Sequence, residues 1–98
     1  YAKPATSVTT ESLLSALTAR YSEEPFIVVS STSPSTKATL GANTAHLTAR
    51  YDARTNTVIS ICAIDNLTKG ASGGAVQAAN VALGLDETAG LATVAVYP

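Results

Sequence analysis

The chain has 98 residues, of which 46% are hydrophobic and 13% charged, and its formal net charge at pH 7 is -1. This length accommodates one domain with one core, because independent domains commonly run to roughly 100 to 150 residues. The weak net charge makes nucleic acid and anionic membranes poor partners, and no apolar run nears the roughly 20 residues that cross a bilayer, so we expect a cytoplasmic protein.

The chain opens with Tyr1 instead of Met, which predicts a piece of a longer protein. The first predicted element is a short amphipathic helix. Thr9 or Thr10 is the expected N-cap, and Pro25 ends the helix by Glu24. Apolar residues recur at three- and four-residue spacing along one face, which we expect to cover a sheet. They are Leu13, Leu14, Ala16, Leu17 and Tyr21.

Short strands are predicted next. A buried strand over 26–30 precedes an exposed polar loop with Pro34, and a brief strand is expected over 38–40. Residues 46–51 alternate apolar and polar side chains, and the β-branched run 58–64 follows closely. These two strands should form an antiparallel hairpin with a loop of about five or six residues.

A second helix is predicted over 71–83, with apolar residues on one face, and Gly84 is the expected left-handed residue at its end. A closing strand is predicted over 91–97. Helices and strands in this order favour a two-layer α+β domain, in which an antiparallel or mixed sheet carries both helices on one face.

Two reactive side chains are interpreted as structural. Cys62, the only cysteine, lies inside an apolar run, where we expect a buried thiol that packs as a small hydrophobe. His46, the only histidine, has no cysteine or carboxylate nearby at ligand spacing. We therefore predict neither a metal site nor a catalytic triad within this chain.

The most specific stretch is DNLTKGASGGAVQAAN at 65–80. Asp65 and Asn66 follow the predicted strand 58–64, where they supply an acceptor and a carboxamide that both donates and accepts. An Asx turn that caps the strand and a ligand site are equally compatible with this pattern. The glycines at 70–74 do not have GxGxxG spacing, so they indicate close backbone packing instead of a phosphate cradle.

The segment IDNLTKGASGGAVQAANVALGLDETAGL closely resembles the C-terminal signature of the N-acetyl-gamma-glutamyl-phosphate reductase family. YSEEPFIVV, TLGANTAHLTARYD and GLATVAVYP resemble further segments of the same family, so the resemblance covers essentially the whole chain. The shorter pattern DNLxKGAxxxAVQ is shared with aspartate-semialdehyde dehydrogenases, but the tail GLDETAGL favours the reductase. The signature departs from the commoner family residues at Gly74 and Ala78.

The resemblance implies an NADPH-dependent enzyme of arginine biosynthesis that reduces an acyl phosphate through a cysteine thioester, with a histidine assisting proton transfer. The family's cysteine belongs to the nucleotide-binding portion and its histidine to a segment before Tyr1. Neither Cys62 nor His46 therefore inherits these roles, and residues 1–98, as most of the C-terminal dimerisation domain, should be inactive alone.

The resemblance also implies a cofactor site. Asn66 would hold the nicotinamide carboxamide of NADP, while Asp65 and Lys69 would brace the loop, and Gly70 and Gly73 would let the helix approach the nucleotide-binding domain. Gln77 and Asn80 would face either that junction or solvent.

The expected partners are a second copy, through an apolar face of the sheet, and the nucleotide-binding domain of the same protein. Two other functions remain open: a fragment of an aspartate-semialdehyde dehydrogenase, and a non-catalytic dimerisation or binding module.

Overall fold

In the computed structural model, which describes residues 1–96, three strands form a mixed sheet. They are β1 (Ile27–Val29), β2 (Ala45–Asp52) and β3 (Thr57–Ile64), and β2 lies in the middle. β1 runs parallel to β2, whereas β3 runs antiparallel to it. The predicted α+β class with a mixed sheet is confirmed.

Helix α1 (Thr10–Tyr21) begins with a capping box. Thr9 is the N-cap: its Oγ1 accepts a hydrogen bond from the backbone N–H of Ser12 at 3.1 Å, and Ser12 Oγ accepts one from the N–H of Thr9 at 3.0 Å. Thr10 Oγ1 instead accepts the N–H of Tyr51 at 3.0 Å, which ties the helix to β2. As predicted, α1 covers the sheet, where it packs on β1 and β2.

The β2–β3 hairpin is confirmed, but its loop is shorter than predicted. Asp52 and Thr57 still pair, so only residues 53–56 form the connection. Asp52 Oδ1 accepts the N–H of Arg54 at 3.0 Å, and Asn56 adopts a left-handed φ of 50°. This local side-chain bonding lets the turn close with fewer residues than a loop without it.

The core is built largely from small residues. Within residues 1–96, Phe26 is the one large apolar side chain that is buried, with 1% exposure, and the other buried apolar residues are alanines. Many large apolar side chains remain open to solvent instead. They include Val28, Leu40, Ile61, Ile64, Leu67, Val76, Val81, Leu83 and Leu85.

The predicted strand over 38–40 is wrong, because this segment forms a 3-10 turn (Thr36–Thr39). Ser35 caps the turn: its Oγ accepts the N–H of Lys37 at 3.3 Å, and its carbonyl accepts the N–H of Ala38 at 3.0 Å. These local bonds use the backbone groups that a strand would have offered to a neighbour.

The predicted closing strand over 91–97 is also wrong for residues 91–96, and Tyr97 lies outside the described residues. Two backbone bonds hold this segment: Asn43 N–H donates to Ala92 O at 2.7 Å, and Val96 N–H donates to Leu40 O at 2.9 Å. Isolated bonds of this kind position a chain without building a ladder.

Cys62 is exposed, which overturns its predicted burial. It lies on β3 opposite Leu47, and in this strand only Ala63 is buried, so the apolar run 58–64 is not enclosed on both faces. Partial desolvation nevertheless raises the pKa of the Cys62 thiol, which disfavours the nucleophilic thiolate.

Helix α2 (Gly73–Ala82) starts later than predicted because a π-helical turn (Thr68–Ser72) precedes it. Gly84, with a φ of 69°, follows its end as predicted. Whereas α1 packs on β1 and β2, α2 continues the preceding π-helical turn and has few contacts with the strands, so α1 provides most of the helical layer. Residues 1–96 contain no helix with the length and apolar character that a membrane span requires.

Candidate functional site

Asp65 organises the loop that follows β3. Its Oδ1 accepts the backbone N–H groups of Leu67 and Thr68, each at 2.8 Å, and its Oδ2 accepts the N–H of Gly41 at 3.0 Å. The bond from Gly41, followed by those from Thr68 and Leu67, lowers the pKa of Asp65 to about 2. Asp65 therefore forms the Asx turn and also joins the loop to the chain around Gly41.

Asn66 follows Asp65 directly in the chain, but its side chain differs from the Asp65 carboxylate in its hydrogen bonding. Its side chain is exposed, and its carboxamide forms no hydrogen bond within residues 1–96. Asn66 lines a cleft of about 330 Å³ with mainly apolar walls. The other lining residues are Thr36, Lys37, Leu40, Ile64 and Asp65. The cleft thus joins an apolar space to a free amide donor and acceptor.

Gly70 lies close to Ile64, Asp65 and Asn66, which line the cleft. Its N–H donates to Asp65 O at 2.9 Å. A Cβ at this position would lie 3.3 Å from Asp65 O, 3.4 Å from Ile64 Cδ1 and 3.5 Å from Asn66 Oδ1. Only the contact with Asp65 O would be tight, so the chain approaches Gly70 closely without excluding a methyl group.

Lys69 turns toward the interior and does not line the cleft. Its Nζ donates to Gln77 Oε1 at 2.6 Å and lies 5.3 Å from the centre of the Phe26 ring. Gln77 Oε1 also accepts from Asn43 Nδ2 at 3.0 Å, and Gln77 Nε2 donates to Glu87 Oε1 at 2.6 Å. Lys69 therefore contacts Gln77 of α2 through its side chain.

Gln77 and Asn80, the two side-chain amides of α2 whose surroundings the sequence did not decide, both face the interior of this chain. Gln77 forms the network with Lys69, and Asn80 Nδ2 donates to the carbonyls of Glu87 and Ala89 at 3.3 and 3.0 Å. Asn80 is buried, with 7% exposure. Both amides fasten α2 to neighbouring segments of the same chain.

The close approach at Gly73 is also internal to the chain. A Cβ there would collide with Asn43 Oδ1 and would lie 3.0 Å from the backbone carbonyl of Thr68. A Cβ on Gly74 would lie 2.9 Å from Lys69 O. The glycines therefore allow the π-helical turn to lead into α2, a reason that spacing alone did not reveal.

His46 and Cys62 do not line the cleft, although both lie near the open end of the hairpin, where His46 pairs with Ala63 and Cys62 pairs with Leu47. Within residues 1–96, no three His, Cys, Asp or Glu side chains are grouped to hold a metal ion. Sequence reasoning missed the wall formed by Thr36 and Leu40. Gly41, with its left-handed φ of 75°, was the available signal that a strand does not continue there.

Comparison with known proteins gives a consistent result. The family described as "Semialdehyde dehydrogenase, dimerisation domain" matches residues 1–66. An N-acetyl-gamma-glutamyl-phosphate reductase of Arthrobacter sp. (strain FB24) is 50% identical over 99 aligned positions, covering 99% of this chain and 29% of the relative. The protein of the same name from Paenarthrobacter aurescens (strain TC1) is 52% identical over 80 positions, 80% of this chain and 23% of the relative. The chain thus spans less than a third of the length of these relatives.

Proposed function

The chain belongs to the family of semialdehyde dehydrogenase dimerisation domains, and we propose that it is the C-terminal domain of a cytoplasmic NADPH-dependent reductase of arginine biosynthesis. The full-length enzyme would convert N-acetyl-glutamyl phosphate to N-acetyl-glutamate semialdehyde. Support comes from relatives named N-acetyl-gamma-glutamyl-phosphate reductase, which are similar along nearly the whole chain.

The observation that carries the proposal is the free carboxamide of Asn66 on a rigid loop. Nicotinamide bears a primary carboxamide, and two carboxamides pair through one donor and one acceptor each. NADPH, when bound, would supply the hydride that reduces the acyl group. Asn66 would fix the rotation of the ring. Asp65 would hold the loop that carries Asn66, because its carboxylate accepts the backbone N–H groups of Gly41, Leu67 and Thr68.

The reacting groups would lie in the rest of the protein. Cys62 is a poor candidate for the nucleophile because partial burial raises its pKa, and His46 lies outside the cleft. We infer that the acyl-accepting cysteine and the proton-transferring histidine belong to other segments. Residues 1–98 alone should then have no reductase activity.

The exposed apolar surfaces support two partners. No charged residue occurs between Ala71 and Leu85, yet Val76 and Val81 of α2 are 43% and 59% exposed. An exposed apolar helix surface usually packs against another domain or protein. We propose that the nucleotide-binding domain packs on α2. Val28 and Ile61, which the strand register places on one face of the sheet, would contact a second copy.

The test uses the full-length protein that contains this chain. Purified protein should oxidise NADPH with N-acetyl-glutamyl phosphate, and the 98-residue chain should show no activity above buffer. Preference for aspartyl phosphate would replace the proposal with an aspartate-semialdehyde dehydrogenase. Activity of the 98-residue chain alone would contradict the proposed division of labour.

A further inference from the structure

The cleft beside Asn66 has apolar walls from two separate segments. Leu40 follows the 3-10 turn and is 46% exposed, while Ile64 ends β3 and is 39% exposed. Both line the same space of about 330 Å³. Two large apolar side chains left open around one concave space favour an apolar ligand there.

The two walls are fastened to each other. Asp65, directly after Ile64, accepts the N–H of Gly41, directly after Leu40, at 3.0 Å. The carbonyl of Leu40 also accepts the N–H of Val96 at 2.9 Å. Because a backbone hydrogen bond holds Leu40 and the Asp65 carboxylate binds the N–H of Gly41, the cleft is largely formed before a ligand arrives.

The Asn66 carboxamide at this cleft favours ligands that carry a hydrogen-bonding group beside an apolar part. The Asn66 carboxamide is unused by residues 1–96, so it calls for a ligand that both donates and accepts. A flat ring with a carboxamide on its edge satisfies the apolar walls and the amide together.

We propose that Leu40 and Ile64 form an apolar clamp for the nicotinamide ring while Asn66 binds its carboxamide, an inference that rests on the proposed function. Leu40 and Ile64 act here as positioning residues. Their contact with the ring limits its tilt, and the amide pair limits its rotation.

The experiment measures binding by the full-length protein with Leu40→Ala. Dissociation constants are determined for NADPH and for 2′-phospho-ADP-ribose, which lacks nicotinamide, and the fluorescence emission of the bound dihydronicotinamide is recorded. Leu40→Ala should weaken NADPH binding about tenfold, leave the ring-less ligand unchanged and reduce the blue shift of the emission. Leu85→Ala, an exposed leucine outside the cleft, should match wild type in all three measurements.

Equal weakening of both ligands, or no weakening of either, would overturn the clamp. Ile64→Ala is the second variant and should repeat the ring-specific loss. NADPH binding that responds to Asn66→Ala but to neither wall variant would overturn the clamp alone. A wild-type protein that does not bind NADPH would overturn the clamp and the proposed function together.

Discussion

The two helices are built for different surroundings. Helix α1 has a capping box, carries Glu11 and Arg20 near its ends and packs on the sheet. Helix α2 begins without a side-chain cap, contains no charged residue and buries only Gly73 and Asn80. Its valines remain exposed although its polar amides point inward.

The two helices therefore differ in the contacts that hold them in place. Helix α1 obtains its caps and its apolar contacts from this chain. Helix α2 is positioned by this chain, through Gln77 and Asn80, but its valines remain exposed. The loop with Asn66 leads directly into α2, so a domain that covered α2 would lie close to the proposed cofactor site.

The largest expected effect concerns the start of α2. Gly73→Ala should lower the free energy of unfolding by about 2–3 kcal/mol, because the new methyl group would collide with Asn43 and the Thr68 backbone. This loss exceeds the roughly 1 kcal/mol by which alanine favours a helix over glycine. Urea denaturation followed by circular dichroism measures the change. Gly70→Ala is the control. It should lower the free energy of unfolding by less than about 1 kcal/mol, since the atoms nearest to the new methyl group would be 3.3–3.5 Å away. Equal losses of stability in both variants would contradict this explanation.

Gln77 tests whether this chain alone positions α2. Gln77→Ala should cost about 1–3 kcal/mol in urea denaturation, because Lys69, Asn43 and Glu87 all lose a hydrogen-bond partner. Adding Glu87→Ala should cause little further loss, since Glu87 would already lack this partner. Fully additive effects would mean that the network is not coupled.

The cap of α1 gives the matching test on the other helix. Thr9→Ala should reduce the free energy of unfolding by about 1 kcal/mol, since the N–H of Ser12 loses its acceptor. Thr18→Ala, an exposed change in the middle of α1, is the control for altering a threonine. A cap variant as stable as this control would contradict the role of the box.

The smallest expected effect is a pH dependence of stability that appears only at acid pH. Asp65 has a pKa of about 2 in the folded protein against an ordinary value of 3.8. Its stabilising contribution is therefore complete above about pH 5 and disappears as pH falls from about 4 toward 2. The stability difference between wild type and Asp65→Asn should be constant near neutral pH and shrink over this acid range in urea denaturation. Glu23→Gln, at an exposed carboxylate, serves as the charge control, and a pH-independent difference for Asp65→Asn would contradict the assignment.

Periodicity predicted α1, β1 and the hairpin, because these elements follow local apolar patterns and Thr9 supplies a cap. It failed over 38–40, where Ser35 forms local bonds that a hydrophobicity pattern does not contain. It also failed at Cys62, because the elements that pack on the sheet, and not the apolar run itself, decide which residues of β3 are covered. Local chemistry was readable in the sequence, but the position of each strand in the sheet was not.

The strand-end pair Asp65 and Asn66 was identified from the sequence, and the family resemblance implied a cofactor contact for Asn66 and a bracing role for Asp65. The bond from Gly41 to Asp65 joins residues 24 positions apart, and no local pattern indicates it. The same long-range contact brings Leu40 to the cleft. The cofactor role of Asn66, Asp65, Lys69 and Gly70 stays a prediction, with the first two now distinguished by their hydrogen bonds.

The most direct measurement of the central claim is single-turnover hydride transfer from NADPH by the full-length protein with Asn66→Ala. Loss of the carboxamide should slow transfer about 10²-fold, because the ring would no longer be held in one rotation. Asn66→Asp, which keeps the size but loses the amide donor, should also be slow, whereas Thr18→Ala should match wild type. Wild-type rates for both Asn66 variants would show that this carboxamide does not orient the cofactor.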